Sequence, residues 1–274
     1  MCLVAGPESG PLALCLHGFP DTAMTWRHLI PELSALGFRV VAPYMRGYAP
    51  TSVPADGAYR LIALADDAAA LHDAFGGDDR AVIIGHDWGG AAALSASARQ
   101  PERWRAAVVL SWPPTGNVPV DVVSHEQLRR SWYVFFFRQQ GAERVIGAHL
   151  TGTLGRLWAD WSPGFDASQE VARATAALAG AEHLTAALGY YRALPELDDP
   201  HAAPVVGGPQ PTLYVHGVAD GCLGIETAED AEDHLSADSQ VVCLERVGHF
   251  PQLEDPDRVN GLIVDFVSSA GLER

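Results

Sequence analysis

Short, nearly unbroken apolar runs recur along the chain, at residues 12–16, 39–42, 81–85, 106–110, 211–216 and 240–244. A strand buried on both faces reads as such a run, whereas a strand with one wet face alternates apolar and polar positions. Helical spacing fills most of the gaps, at 26–36, 61–75, 91–99 and 258–269. Strands of this kind alternating with helices predict a parallel sheet covered on both sides. The alternation breaks once, between Leu110 and Pro211, where the sequence is helical or loop-like. That interval opens on Trp112-Pro113-Pro114 and closes on Pro204-Val205-Val206-Gly207-Gly208-Pro209, both of which read as hinges. The expected organisation is a core from residues 1–112 and 206–274, with a helical cap at 113–205 lying over the carboxyl ends of the strands, where open α/β sheets bind ligands. The cap interval holds 10 of the chain's 23 aromatics. Most of them, Phe135 and Phe136 among them, are expected to make the cap's own core.

One junction is unusual. The run Ala81-Val82-Ile83-Ile84 is followed by Gly85-His86-Asp87-Trp88-Gly89-Gly90 and then by Ala91-Ala92-Ala93-Leu94. This is a strand, a sharp turn and a helix, with glycines two positions either side of the turn residue. The pattern is that of a nucleophile elbow, G-x-S-x-G, with aspartate in place of serine. A carboxylate nucleophile forms an alkyl ester with an electrophilic carbon, where a serine would point to acyl transfer. Asp87 as a simple helix cap is the plainer alternative, since the helix dipole favours a carboxylate there.

Composition narrows the chemistry. The chain has 274 residues and a net charge of −16, so nucleic acid and anionic membranes are poor partners and a small neutral or cationic ligand is expected. It contains no lysine; all 18 basic residues are arginine. That excludes a Schiff-base lysine, a lysine-anchored pyridoxal phosphate and a phosphate-binding Walker lysine. Cys2, Cys15, Cys222 and Cys243 are scattered, with no C-x-x-C, and read as reduced structural thiols in a cytoplasmic protein. The eleven histidines form no H-E-x-x-H and no Cys/His cluster in sequence, so no metal site is expected. No apolar stretch is long enough to span a membrane, and no basic segment precedes the first apolar run as in a signal peptide.

An elbow nucleophile needs a base and an orienting acid, which follow it in chain order. Asp220 follows the run ending at His216, and His249 follows the run ending at Leu244. Both fall at strand ends that would converge on Asp87. Asp121, after the preceding strand, competes with Asp220 for the acid role. The segment His17-Gly18-Phe19-Pro20 follows the first run. The backbone N–H groups of Phe19 and Trp88 would form an oxyanion hole.

At this point the chain resembles the α/β-hydrolase-fold epoxide hydrolases. The resemblance rests on His17-Gly18-Phe19-Pro20, on Ala42-Pro43-Tyr44-Met45-Arg46-Gly47-Tyr48, on the aspartate elbow and on Gly248-His249-Phe250, and it covers nearly the whole chain. The elbow is shared with haloalkane dehalogenases, so it marks a branch and leaves the substrate open. The resemblance implies two cap tyrosines that donate to an epoxide oxygen. One lies eight residues before a glycine, which gives Tyr133 before Gly141; the other lies in an aromatic-Tyr-Arg tripeptide, which gives Tyr191 in Tyr190-Tyr191-Arg192. It further implies substrate contacts from His17, Pro20, Trp132 and Phe250, an epoxide and water as the small-molecule partners, no cofactor, and a homodimer as an allowed assembly. A haloalkane dehalogenase and a non-catalytic receptor on the same fold are the competing readings. Two features depart from the family pattern. Only 16 residues precede His17, so the N-terminal strands are expected to be shortened or missing: either the true start lies upstream, or the sheet is shorter with an exposed edge. The stretch Asp220-Gly221-Cys222-Leu223-Gly224 after the acid is also unusually small.

Overall fold

A computed structural model describes residues 1–114, 124–195 and 205–270. Among them, the apolar runs form the strands β2 (Leu12–Leu16), β3 (Arg39–Pro43), β4 (Val82–His86), β5 (Ala106–Leu110), β6 (Thr212–Gly217) and β7 (Gln240–Leu244). These six pair in parallel. A seventh, β1 (Cys2–Ala5), runs antiparallel on β3, so the order is β1-β3-β2-β4-β5-β6-β7. β1, four residues long, forms one edge of the sheet. The central strands β2, β4, β5 and β6 are buried at every position, which is why they read as unbroken apolar runs. At the other edge β7 is only partly covered. Cys243, expected inside an apolar strand, is exposed there.

Helices α1 (Leu29–Ala35) and α11 (Pro256–Ser269), the latter preceded by the single turn α10 (Pro251–Glu254), pack on one face of the sheet, and α2 (Leu61–Ala74) and α3 (Trp88–Arg99) on the other. The helical stretch expected at 26–36 begins instead as a tight turn at Ala23–Arg27, with Thr22 capping it by accepting from the Met24 N–H. Between β5 and β6 every described helix or strand longer than a single bridge is helical: α4 (His125–Arg130), α5 (Trp132–Phe137), α6 (Ala142–Gly147), α7 (Leu150–Trp161), α8 (Ser168–Leu178) and α9 (Ala181–Arg192). Phe137, Trp158, Trp161, Tyr190 and Tyr191 are buried, whereas Phe135, expected in the core, is 40% exposed. The periodicity explains the difference. Tyr133 and Phe137 lie four apart on the inward face of α5, which turns Trp132 and Phe135 outward.

The strand-to-helix junction at β4 and α3 is strained. Asp87 has φ 52° and ψ −122°, a conformation that L residues adopt only when the surroundings impose it, at a cost of about 1–3 kcal/mol. Its N–H donates to the Leu110 carbonyl at 3.0 Å and its carbonyl accepts from Ala91 at 3.0 Å. A Cβ on Gly85 would sit 2.0 Å from the Gly89 carbonyl oxygen, and one on Gly89 would sit 2.1 Å from the Leu16 carbonyl oxygen. Gly89→Ala should therefore destabilise the protein by about 1–3 kcal/mol through overpacking. Gly261→Ala, in α11 with nothing within 4 Å of the new atom, should stabilise it by about 0.5–1 kcal/mol. Urea denaturation of both variants checks the contrast; equal midpoints would show that the elbow is not sterically closed.

Candidate active site

The ends of β2, β4, β6 and β7 bring four segments of the expected site together. Asp87 is 4% exposed. Its Oδ1 accepts from the Phe19 N–H at 2.8 Å, and its Oδ2 lies 3.5 Å from His249 Nε2. His249 Nδ1 donates to Asp220 Oδ2 at 2.8 Å. The other oxygen of Asp220 accepts from the Cys222 and Leu223 N–H groups at 2.7 and 2.9 Å. That double acceptance explains the small residues after the acid, because the chain must turn back on the carboxylate. A Cβ at Gly221 would meet the Asp160 carbonyl oxygen at 1.9 Å. Asp121, the competing acid, lies outside the described residues. Trp88 opens α3, so its N–H has no partner within the helix.

The array carries three buried charges. Burial pushes the His249 pKa down, but the charge of Asp220, the adjacent Cys222 sulfur and the hydrogen bonds to Asp220 and Asp87 outweigh it and hold the group well above the ordinary imidazole value. Burial likewise pushes Asp220 up, and the His249 charge and hydrogen bond override it to leave its pKa low. His249 thus rests as an imidazolium between two carboxylates. The neighbouring histidines do not share its charge. Burial drives His17 down to about 4 and His86 to about 3. His17 accepts from the Met45 N–H at 3.0 Å and donates to the Gly18 carbonyl at 2.8 Å, so it braces the loop beneath Asp87. His86 donates to the His249 carbonyl at 2.8 Å.

Aromatic rings close the cluster. Tyr133 and Tyr191 meet edge to face with centroids 5.7 Å apart. Tyr191 packs edge-on against Phe19 and Trp88, at 5.5 and 5.2 Å. Burial, reinforced by nearby Asp87 and other groups, raises both phenol pKa values well above the usual range, so both rings keep their protons. Pro20 offers its carbonyl to Trp158 Nε1 at 3.1 Å, and Phe250 stacks on Trp158 with centroids 3.5 Å apart. Trp132 is not drawn into this cluster. It is 49% exposed and lines, with Trp161 and Asp220, a hollow of about 330 Å³ that Asp87 does not reach.

Several contributors escaped the sequence reading. Trp161 packs against His249 and Tyr133 at 5.2 and 4.9 Å. Its carbonyl accepts from both His249 and Gly221. Ser162 Oγ accepts from the His249 N–H at 3.1 Å and donates to Glu254 at 2.5 Å; Glu254 also accepts from the Gly248 and Phe250 N–H groups. Cys222, read as a structural thiol, lies with its sulfur 3.1 Å from the Tyr133 hydroxyl. Only an aromatic count hinted at Trp161, and nothing in local sequence pointed to the other three.

Because Asp87 helps hold the proton on His249, neutralising it should release that proton more readily. Asp87→Asn should lower the His249 pKa by about 1–3 pH units, as read from its imidazole resonances in an NMR titration. The raised value also fixes the sign of the stability effect. The ion pair contributes fully below the unfolded pKa of about 6.5 and is lost as pH rises through the folded value. An unchanged His249 titration in Asp87→Asn would show that the 3.5 Å contact carries no charge coupling.

Residues 11–256 match the family described as alpha/beta hydrolase fold. The chain is 30% identical over 272 residues to the AB hydrolase superfamily protein YfhM of Bacillus subtilis, covering 97% of this chain and 93% of that protein. It is 30% identical over 297 residues to an epoxide hydrolase of Caballeronia sordidicola, covering 94% and 88%. Among solved structures, epoxide hydrolase A of Mycobacterium thermoresistibile superimposes with a TM-score of 0.81 at 27% identity, covering 97% of this chain and 94% of that one. With its sheet order, elbow and these likenesses together, the chain belongs to the alpha/beta hydrolase fold family and, within it, to the epoxide hydrolases.

Proposed function

We propose that the protein opens an epoxide to a vicinal diol through a covalent ester on Asp87. The observation that carries this reading is a buried carboxylate on the elbow, backed by His249 and Asp220 and roofed by two protonated phenols. The segment between β5 and β6 acts as a cap that supplies those phenols. Asp87 attacks one oxirane carbon from the side opposite the C–O bond. Tyr133 and Tyr191 donate to the oxygen as it becomes an alkoxide, and one passes its proton to it. The product is a hydroxyalkyl ester.

Ester formation then changes the charge balance. Esterified Asp87 no longer carries the negative charge that stood 3.5 Å from Nε2, so His249 becomes a weaker holder of its proton. The imidazolium passes its proton to the phenolate left by ring opening, which restores the tyrosine, and so becomes a base only in the intermediate that needs one. It takes a proton from water, which attacks the ester carbonyl. The N–H groups of Phe19 and Trp88 stabilise the resulting oxyanion. The collapse of that intermediate breaks the bond to the alkyl oxygen, which takes the second proton of the water, so that the diol leaves and the carboxylate is restored. The free thiols at Cys2, Cys15, Cys222 and Cys243 fit a reducing, cytoplasmic setting.

His249→Gln should form the ester and fail to hydrolyse it. Intact-protein mass spectrometry after addition of an aryl epoxide should show a persistent adduct of the substrate's mass. Turnover without adduct would remove His249 from the second step.

The phenols separate epoxide opening from halide displacement, because a haloalkane has no oxygen to protonate. Tyr133→Phe and Tyr191→Phe should each slow pre-steady-state alkylation by an epoxide by about 2–4 kcal/mol, roughly 30- to 1000-fold. Bromoalkanes should release no halide with the wild type. Undiminished alkylation in both variants, or rapid halide release, would overturn the assignment.

A further inference from the structure

The strongest unexplained group at the site is Cys222. Its side chain is 1% exposed and its sulfur sits 3.1 Å from the Tyr133 hydroxyl, a contact the reaction does not require. One ligand atom each from Asp220, Cys222 and His249 lies within 4.8 Å of the others, and all three residues are buried. No second such trio occurs among the described residues. His249 presents Nδ1 to Asp220 at 2.8 Å and Nε2 to Asp87 at 3.5 Å. Thiolate, imidazole and carboxylate are the donor types that Zn²⁺ takes up.

We propose that Asp220, Cys222 and His249 form an inhibitory site for a thiophilic divalent cation of the Zn²⁺ type. Zn–S bonds of about 2.3 Å and Zn–N and Zn–O bonds of about 2.0–2.2 Å require the donors to close on the ion by about 1 Å, within reach of side-chain rotation at Cys222. Asp220 Oδ1 is committed to the Cys222 and Leu223 N–H groups. Its Oδ2 therefore exchanges its bond to His249 for the metal.

Binding releases to solvent the proton of the Cys222 thiol and the proton on His249 Nδ1, so that a thiolate and an imidazole lone pair face the cation. With the cation on Nδ1 the ring's remaining proton sits on Nε2, so His249 has no free lone pair to act as a base. The inhibition, though not the binding, rests on the function proposed above.

Binding can be tested apart from activity. In a Cys2→Ser, Cys243→Ser background, Cd²⁺ should produce a saturable thiolate-to-metal charge-transfer band in the ultraviolet. Adding Cys222→Ser or Cys222→Ala should abolish the band, with circular dichroism confirming that at least one of the two remains folded. His249→Gln should weaken Cd²⁺ binding at least about tenfold, and Cys15→Ser should leave it unchanged. In turnover assays Zn²⁺ should inhibit reversibly on chelation, and Mg²⁺, an oxygen-seeking ion, should not. Each Cys222 variant, compared with its own metal-free rate, should need at least about tenfold more Zn²⁺. A band that survives loss of Cys222, or equal Zn²⁺ sensitivity with and without it, overturns the proposal. A Cys222- and His249-dependent band in a protein that hydrolyses no epoxide would keep the metal site and sink the function instead; normal turnover without any band would do the reverse.

Discussion

The Asp87 carboxylate is 4% exposed, and a buried carboxylate persists only where donors and opposite charge replace its lost water. Phe19 supplies a backbone N–H, His249 supplies positive charge, and the N-terminus of α3 directs its partial positive charge at the same place. Asp220 then compensates His249 and is itself satisfied by two N–H groups of its own loop. Each element of the site is in this sense a response to the one before it. The strain at φ 52° is held by the fixed positions of β2, β4 and β5, because the turn can relax only by moving one of those strands.

Much of the sheet was legible because its parallel strands are buried on both faces and leave an apolar run in the sequence. β1 was not legible. Four residues at a half-covered edge carry too little pattern, and only their register with Val40–Pro43 shows them as a strand. The helices between β5 and β6 were legible as a region and not as elements. They are short, and their apolar faces are satisfied by one another and by the core, so no single period dominates. Asp87, Asp220 and His249 could be placed because Asp87 directly follows β4 and the other two lie in the short loops just after β6 and β7. Tyr133 and Tyr191 came from resemblance, and the structure puts both rings beside the cluster. Trp132 went astray because it adjoins Tyr133 in sequence, and adjacent helical residues point about 100° apart.

What the sequence could not show was the set of contacts between segments far apart in the chain. Ser162 and Glu254 are separated by 92 positions, and neither lies in a recognisable motif. Together they hold the backbone on both sides of His249. Cys222 looked like any other thiol until the fold set it between Tyr133 and His249. Polar groups that position other polar groups leave no periodic trace, since their spacing is set by tertiary geometry alone.

These contacts also constrain how the helical segment can move. The carboxyl end of α7 is fixed to the loops that carry Asp220 and His249, because the Trp161 carbonyl accepts from Gly221 at 3.0 Å and from His249 at 3.1 Å. Swinging the helical segment away at this end would strip the hydrogen bonds that orient the imidazole and its acid. The far end is tied as well, with the Tyr190 hydroxyl donating to the Arg46 carbonyl at 2.9 Å and His183 Nδ1 donating to the Gly47 carbonyl at 2.8 Å. A rigid-body opening therefore costs the placement of Asp220 and His249 at one end and that of Tyr191 at the other. α5 presents Trp132 and Phe135 to solvent on one side and Tyr133 and Phe137 to the cluster on the other. A displacement of that helix alone would move Tyr133 and leave Asp220, His249 and Tyr191 on the α7 and α9 anchors, because none of those anchoring bonds comes from α5.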